Sequence, residues 1–552
     1  ATPSLLPIES ISLTELKVKN GNGSLNITES NLQYAGEGLT VSASNIPIYN
    51  GGEWVVTDPK SWQQQSLLSF EADALKVPQG SLAGLKVNTE YQNNRLSVKE
   101  LGLSSAELSI DATMDDSSQG TPSSESLPID YVELNNINLR QISLGYQNDD
   151  VQYLVSNGNL VLSHFPLVRE GQLLSNPMPH FANSANTIRL NIDKLSVPEG
   201  SVSGLDLKGT LRNKDLMLDR LHTRSADIML VLPKQDHSAS EESTKEDQQQ
   251  QKEASKFALR TLKIGDLKLR NVNAEIQQGK DDNAETISVN DFYLGATELM
   301  VAKNHQTIDQ WYGSQLENAF TLIALKVGTI AQKQTDINNL TVTAVQDKQT
   351  ITIQPLRVTI NEAPISAKWV LDLTQQPYRS TYVSEFNNLL LEKLVEPETK
   401  DGIAMSGSLQ GDINIQFLGV DAETIADTLQ GKVFIRNQTP VTLHRLNVNK
   451  VLRSFLDSQK FGLLDVGGLL LAGPLGLLAS QGVSIQDTLS QLGADKGDTH
   501  FSHLNVDMDI EKGIMTTKDV AAATQHYRFA FNGHINLAAQ EFKDFEFDII
   551  NE

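Results

Sequence analysis

The chain has 552 residues, of which 39% are hydrophobic, and a formal net charge of −23. An acidic surface of that size repels phosphate backbones and no Lys/Arg cluster offsets it, so neither nucleic-acid binding nor polybasic docking on anionic lipid is expected. The absence of cysteine removes disulfides, zinc–thiolate sites and thiol nucleophiles together.

The start, Ala1-Thr2-Pro3-Ser4, has neither the charged nor the apolar region of a signal peptide, so any signal or anchor is expected to lie outside these residues. Residues 1–128 read as a first β unit. Ile11, Leu13, Leu16 and Val18 alternate with polar residues, an Ile46-Pro47-Ile48 corner follows, and the unit closes on the phrase Leu75-Lys76-Val77-Pro78-Gln79-Gly80-Ser81. Within and after that phrase Leu85, Val87, Leu96, Val98, Leu101, Leu103, Leu108 and Ile110 form a period-two apolar row, with Gln92-Asn93-Asn94 as hairpin-turn chemistry.

A shift of 120 positions repeats the phrase at Leu195, pairing Pro78 with Pro198, Gly80 with Gly200, Gly84 with Gly204, Leu85 with Leu205 and Leu96 with Leu216. Residues 129–258 are therefore a second unit, whose apolar row is Leu205, Leu207, Leu216, Leu218, Leu221, Ile228 and Leu230. Polar linkers at 115–128 and about 235–258 follow the last strand of each unit. A diverged third unit occupies 259–380, with Ile264, Leu267 and Leu269 matching Leu134, Ile137 and Leu139, and with Leu340, Val342, Ile351 and Ile353 around an Asp347-Lys348 turn.

Residues 381–552 have a different texture and read as an α+β region. Short helices are expected at 386–395, at 421–429 with Asp421 as N-cap, and at 446–455, and strands return toward the C-terminus. Residues 466–485 carry no charge and include Leu469, Leu470, Leu471, Pro474, Leu475, Leu477 and Leu478. They read as a buried hairpin or as a gate or membrane-contacting loop, and Pro474 with its glycines argues against a spanning helix.

No nucleophile elbow, P-loop, H-E-x-x-H or dinucleotide fingerprint occurs, so the expectation is a protein that is not an enzyme and uses no cofactor or metal. His500 and His503 read as surface histidines, and Asp507, Asp509 and Glu511 as a solvated strand face, because Val506, Met508 and Ile510 alternate with them.

The C-terminal stretches Ser406-Gly407-Ser408-Leu409-Gln410-Gly411, Leu429-Gln430-Gly431-Lys432-Val433, 464–476, Phe501-Ser502-His503-Leu504 and 531–537 resemble the AsmA family of bacterial envelope proteins. The resemblance implies a periplasmic protein held to the inner membrane by an N-terminal helix absent from these residues, acting in outer-membrane assembly. Larger members resemble bridge-like lipid transfer proteins with a curled apolar sheet, which implies phospholipid or another acyl-chain lipid as partner, with envelope proteins as further partners.

The expected fold class is therefore mainly β: an elongated, repetitive antiparallel sheet curled into a groove or sandwich, with a C-terminal α+β region. Alternation alone fits a lipid groove, the closed cores of an envelope adaptor, or an adhesin-like array. It does not choose among them.

Overall fold

The computed structural model describes residues 9–27, 32–50, 53–55, 60, 62–111, 129–148, 151–174, 186–232, 259–278, 285–307, 318–332, 335–360, 362–393, 404–445, 447, 497–536 and 541–551. The linkers at 115–128 and 235–258, the expected helix at 446–455 (Asn447 aside) and the whole uncharged stretch 466–485 lie outside the described residues.

Alternating apolar and polar residues bounded by Gly, Asn and Pro produce a mainly β molecule. The first seven strands are β1 (Ser10–Ile27), β2 (Leu32–Asn50), β3 (Glu53–Trp54), β4 (Ser66–Val77), β5 (Gly80–Gln92), β6 (Arg95–Leu103) and β7 (Ser105–Asp111). Then follow β8 (Tyr131–Asn148), β9 (Val151–Arg169), β10 (Gln172–Leu173), β11 (Asn186–Val197), β12 (Gly200–Arg212), β13 (Asp215–His222) and β14 (Ser225–Leu232). The third set is β15 (Thr261–Gln278), β16 (Glu285–Lys303), β17 (Gln306–Thr307), β18 (Leu322–Gln332), β19 (Thr335–Asp347), β20 (Thr350–Ile360) and β21 (Ala363–Asp372). Strand lengths run 18, 19, 2, 12, 13, 9 and 7 residues in the first set. They run 18, 19, 2, 12, 13, 8 and 8 in the second. In the third they run 18, 19, 2, 11, 13, 11 and 10, so one supersecondary unit is written three times.

By internal contacts the chain falls into two compact units, one of residues 1–230, 235–273 and 295–315, the other of 231–234, 274–294 and 316–552. In the first, the sheet runs β1–β2–β4–β5–β6–β8–β9–β11–β12–β13–β15. Pairing is antiparallel within a repeat. At the joints between repeats it is parallel, β6 and β7 against β8 and β13 against β15, where an antiparallel sheet is the sequence-level expectation. Residues 112–130 give the chain the length a parallel crossover needs, which no two-residue turn could supply.

The hairpin chemistry is realised as read. Asn93 and Asn94 have φ of 49° and 60°, and Asn213 and Lys214 have φ of 47° and 67°, the left-handed pair of a two-residue turn. In the third repeat the turn falls on Lys348 and Gln349, one residue later than expected, with Asp347 paired to Thr350. Gly80 and Gly200 start β5 and β12 at φ of 148° and 147°. A Cβ there would sit 1.9 Å from the Glu107 carbonyl oxygen and 2.0 Å from that of Asp227.

The second unit continues with β22 (Arg379–Leu390), a 3-10 turn at Leu391–Lys393, β23 (Ala404–Ser406), β24 (Ser408–Leu418), α1 (Ala422–Thr428), β25 (Gln430–Asn437), β26 (Val441–His444), β27 (Thr499–Phe501), β28 (His503–Glu511), β29 (Ile514–Ala523), β30 (Tyr527–Asn536) and β31 (Glu541–Asn551). α1 starts where expected, its N-cap Asp421 accepting from the Thr424 backbone N–H at 2.8 Å.

Where a helix is expected at 386–395, residues up to Leu390 are the end of β22 and Leu391–Lys393 form the 3-10 turn, while residues 394 and 395 lie outside the described residues. Asn388 has φ of 55°, and the register slips between Phe386 and Leu389, so the extra residue of a β-bulge returns Leu389 to the face of Phe386. That three-residue apolar spacing imitates a helix. The described C-terminal region is consequently nearly all strand.

β23, β26 and β27 form a separate three-stranded sheet. Its Met405, Val441, Leu443 and Phe501 are buried in one core with Leu409, Leu504, Val506, Met508, Val520, Ala522 and Phe529 of the larger sheet. Phe501 and Phe529 meet edge-on, with centroids 6.3 Å apart.

Gly80→Ala and Gly200→Ala are each expected to destabilise the protein by more than about 1 kcal/mol, because both the backbone conformation and the carbonyl contact forbid a methyl group. Gly102→Ala, where the nearest atom is an ordinary 3.8 Å away, is expected to stay within about 0.5 kcal/mol; urea midpoints check all three. Phe529→Ala is expected to cost roughly 3–5 kcal/mol, read as early unfolding of the two-layer core.

Candidate functional site

The register of the first unit puts its apolar residues in rows that cross the whole sheet. One row reads Val18, Val41, Phe70, Val87, Leu101, Ile137, Leu162, Ile188, Gly209, Leu218 and Ile264, each hydrogen-bonded-ladder partner facing the next over eleven strands. A second reads Leu103, Leu139, Leu160, Leu190, Leu207, Leu221 and Leu267. A third joins Leu75, Leu82, Ala106, Ile142, Gly158, Ile192 and Leu205. With strands about 4.8 Å apart, the first row has a contour of roughly 50 Å.

Leu85, Val87, Leu96, Val98, Leu101, Leu108 and Ile110 sit on β5, β6 and β7, and Leu205, Leu207, Leu216, Leu218, Leu221, Ile228 and Leu230 on β12, β13 and β14. The ladders join the rows containing Val87 and Leu218, so the two copies line one continuous apolar face rather than two separate ones. Leu340, Val342, Ile351 and Ile353, on β19 and β20, share a face of the second unit. There a corresponding row runs Ile323, Ala344, Ile353, Trp369, Tyr382, Ile415, Gly431, Ile510, Met515 and Ile535. The gate residues Leu469, Leu470, Leu471, Pro474, Leu475, Leu477 and Leu478 lie outside the described residues.

Bulges keep these rows apolar. Val98 and Leu101 are three apart, as are Leu218 and Leu221, and would fall on opposite faces of a regular strand. A register slip between Asn88 and Thr89, and another between Lys208 and Gly209, returns them to one face.

The exposure of the face separates an open sheet from a closed core. Most members of the rows are half-buried, with Ile137 (6%), Leu218 (7%) and Ile264 (6%) more enclosed and Val18 (52%) and Val41 (41%) open. The core under the three-stranded sheet of the second unit is fully buried by contrast. Trp369 adds a polar atom to its row, an indole N–H shielded from solvent and without an acceptor among the described residues.

The opposite face is wet and ion-paired. Lys86 and Glu100 are 3.0 Å apart, and at the same two positions of the second repeat Asp206 and Arg220 are 2.9 Å apart, the same pair with its charges exchanged. The hydrogen bond from Lys86 holds the Glu100 carboxyl below its usual range and, reciprocally, raises the Lys86 ammonium. Lys99–Glu90 (2.9 Å) and Lys208–Asp219 (3.2 Å) continue the pattern.

Among the described residues no group of three His, Asp or Glu has the arrangement of a metal site, and no helix is long and apolar enough to cross a membrane. His500 and His503 stand on different strands, and His500 Nδ1 shares a 2.9 Å hydrogen bond with the Thr442 hydroxyl. Asp509 pairs with Lys518 at 2.6 Å while Val506, Met508 and Ile510 are buried. The members Val18, Val41, Phe70, Leu160, Leu162, Ile188 and Leu190 are absent from the sequence-derived set, although the same alternation marks them.

No family model matches this chain, and neither does any curated protein or solved structure.

Lys86→Asp and Glu100→Arg are each expected to lower the melting temperature by placing like charges across the β5–β6 ladder. The double variant, which carries the second repeat's arrangement, is expected to recover most of the loss; the recovery should shrink in high salt.

Proposed function

We propose that this protein binds acyl-chain lipid along its apolar sheet face and transfers phospholipid in the periplasm of a Gram-negative bacterium, in support of outer-membrane assembly. The observation that carries the reading is the row across eleven strands with no polar residue in it, enclosed at Ile137, Leu218 and Ile264, half-buried at Phe70, Val87, Leu101, Leu162 and Ile188, and exposed at Val18 and Val41.

A sheet with one apolar face must have that face covered, and acyl chains are a sufficient cover. Each CH₂ moved from water onto such a surface contributes about 0.8 kcal/mol, so a lipid tail is held with no specific polar contact. A contour of roughly 50 Å exceeds the bilayer's whole hydrocarbon thickness of about 30 Å, room for several tails in file. Every position of the first unit's row is aliphatic, Phe70 or Gly209, so a tail can slide from strand to strand there without crossing a polar barrier. The headgroups would remain at the open side.

The resemblance of the C-terminal stretches to the AsmA family supports the compartment, an attachment to the inner membrane and the link to outer-membrane assembly. No catalytic step and no cofactor enters the reading. The two-layer core around Phe529 favours a second role for the C-terminal part, as a closed structural or adaptor element that meets envelope partners.

Mass spectrometry of lipids extracted from protein purified without detergent tests the proposal. Phospholipid is expected in the native chain, and a loss of at least tenfold when Leu85, Leu96, Leu205 and Leu216 are changed to Asp in a variant that keeps its β circular dichroism. Lipid-free native protein, or equal lipid in the folded variant, would overturn it.

A further inference from the structure

The three repeats allow the first strand of each to be compared position by position. β1, β8 and β15 are all 18 residues long, and each carries a left-handed residue at the same place, Asn20, Gln141 and Asn271. Leu13, Leu16 and Val18 of β1 therefore correspond to Leu134, Ile137 and Leu139 of β8, and to Ile264, Leu267 and Leu269 of β15.

The outer edges of β8 and β15 each hold a parallel strand from the preceding repeat, with Val98 against Leu134 and Leu101 against Ile137 in one case, and Leu218 against Ile264 and Leu221 against Leu267 in the other. Among the described residues β1 is paired with β2 alone. The consequence is visible at one equivalent position: Ile137 and Leu267 are both 6% exposed, whereas Leu16 is 50% exposed. Val18 beside it is 52% exposed, and both belong to the apolar face that continues through β2 and β4.

Edge strands that are meant to stay free are short, bulged away or carry an inward-pointing charge. β1 is 18 residues long, and its register slips, at Ile11/Ser12 and on either side of Gly21, recur at the equivalent positions of β8, which holds a parallel strand all the same. Its Lys17 and Lys19 alternate with Leu16 and Val18, so they lie on the wet face and leave the apolar side unguarded.

We propose that the outer edge of β1 is a docking edge for a parallel β-strand of the β6–β7 type, supplied by a further repeat of this kind. It would add its Leu-x-Val, bulge, Leu-x-Leu pattern to the apolar face in the register seen at β8 and β15. Backbone hydrogen bonds supply the attachment, and the apolar side chains opposite Leu13, Leu16 and Val18 select the partner and fix its direction. The proposal concerns how the sheet is extended and stands whether or not the face carries lipid.

The absence of cysteine makes the register directly testable. A synthetic peptide of residues 95–111 is added to the full chain carrying Leu13→Cys or Val18→Cys. A cysteine replacing Val98 in the peptide is expected to cross-link to position 13, and one replacing Leu103 to position 18, with the exchanged pairings at least tenfold weaker. Amides of β1 are expected to gain at least tenfold protection from hydrogen exchange on peptide addition, and Leu16→Lys to abolish that gain while leaving the circular dichroism unchanged.

A second form avoids reliance on peptide solubility: a copy of residues 95–130, which contains the strand with its own crossover, is fused ahead of Ser10. The fused chain is expected to show the same protection of β1. Reversed cross-linking, cross-links joining the β1 strands of two chains, or unprotected β1 amides in the fused chain would each overturn the proposal.

Discussion

A sheet whose residues alternate strictly has one face that water rejects, and everything else in this molecule answers to that face. In the first unit the face runs without a polar interruption from Val18 to Ile264. It cannot fold away as a small core does, because its own strands are all engaged side by side in one ladder. The ladder supplies the backbone hydrogen bonds, and the side chains gain only what their row neighbours cover, which leaves them half-buried. Lipid tails are one chemistry that completes such a surface; a second protein layer is the other.

The molecule uses that second solution in its C-terminal part. Met405, Val441, Leu443 and Phe501 bring a three-stranded sheet onto the same kind of apolar surface and exclude water from it. Open and closed versions of one architecture thus occur in a single chain, and the difference is a few short strands rather than a change in the larger sheet. On the opposite face the exchanged pair Lys86–Glu100 and Asp206–Arg220 points to a cross-strand requirement for opposite charge with no requirement for its sign, which is how a solvated structural contact behaves.

Much of this was legible in residues. The phrase at Leu75 and Leu195 marks a repeat, Asn93 and Asn94 mark a hairpin turn, and the Leu85 and Leu205 rows mark one face of each copy. What misled were the bulges. Phe386 and Leu389 share a face through an extra residue, and their spacing of three is the spacing of a helix. Val98 and Leu101 show the same device inside a recognised strand, where flanking alternation resolved it. The parallel joints between repeats carry no local mark, because the partner of Leu134 lies 36 positions earlier, across a crossover.

By itself the sequence determined the periodicity, and with it the strands, the turns and the apolar or polar character of each side, since these depend on neighbours only two to four residues apart. Tertiary structure alone decided that the rows of β1–β15 in the first unit join into one surface, and that within the second unit a small sheet seals the apolar side around Phe529. Register between distant strands and the burial of one layer by another are properties of pairs of segments, and a face that alternates correctly is compatible with either outcome until its partner is known.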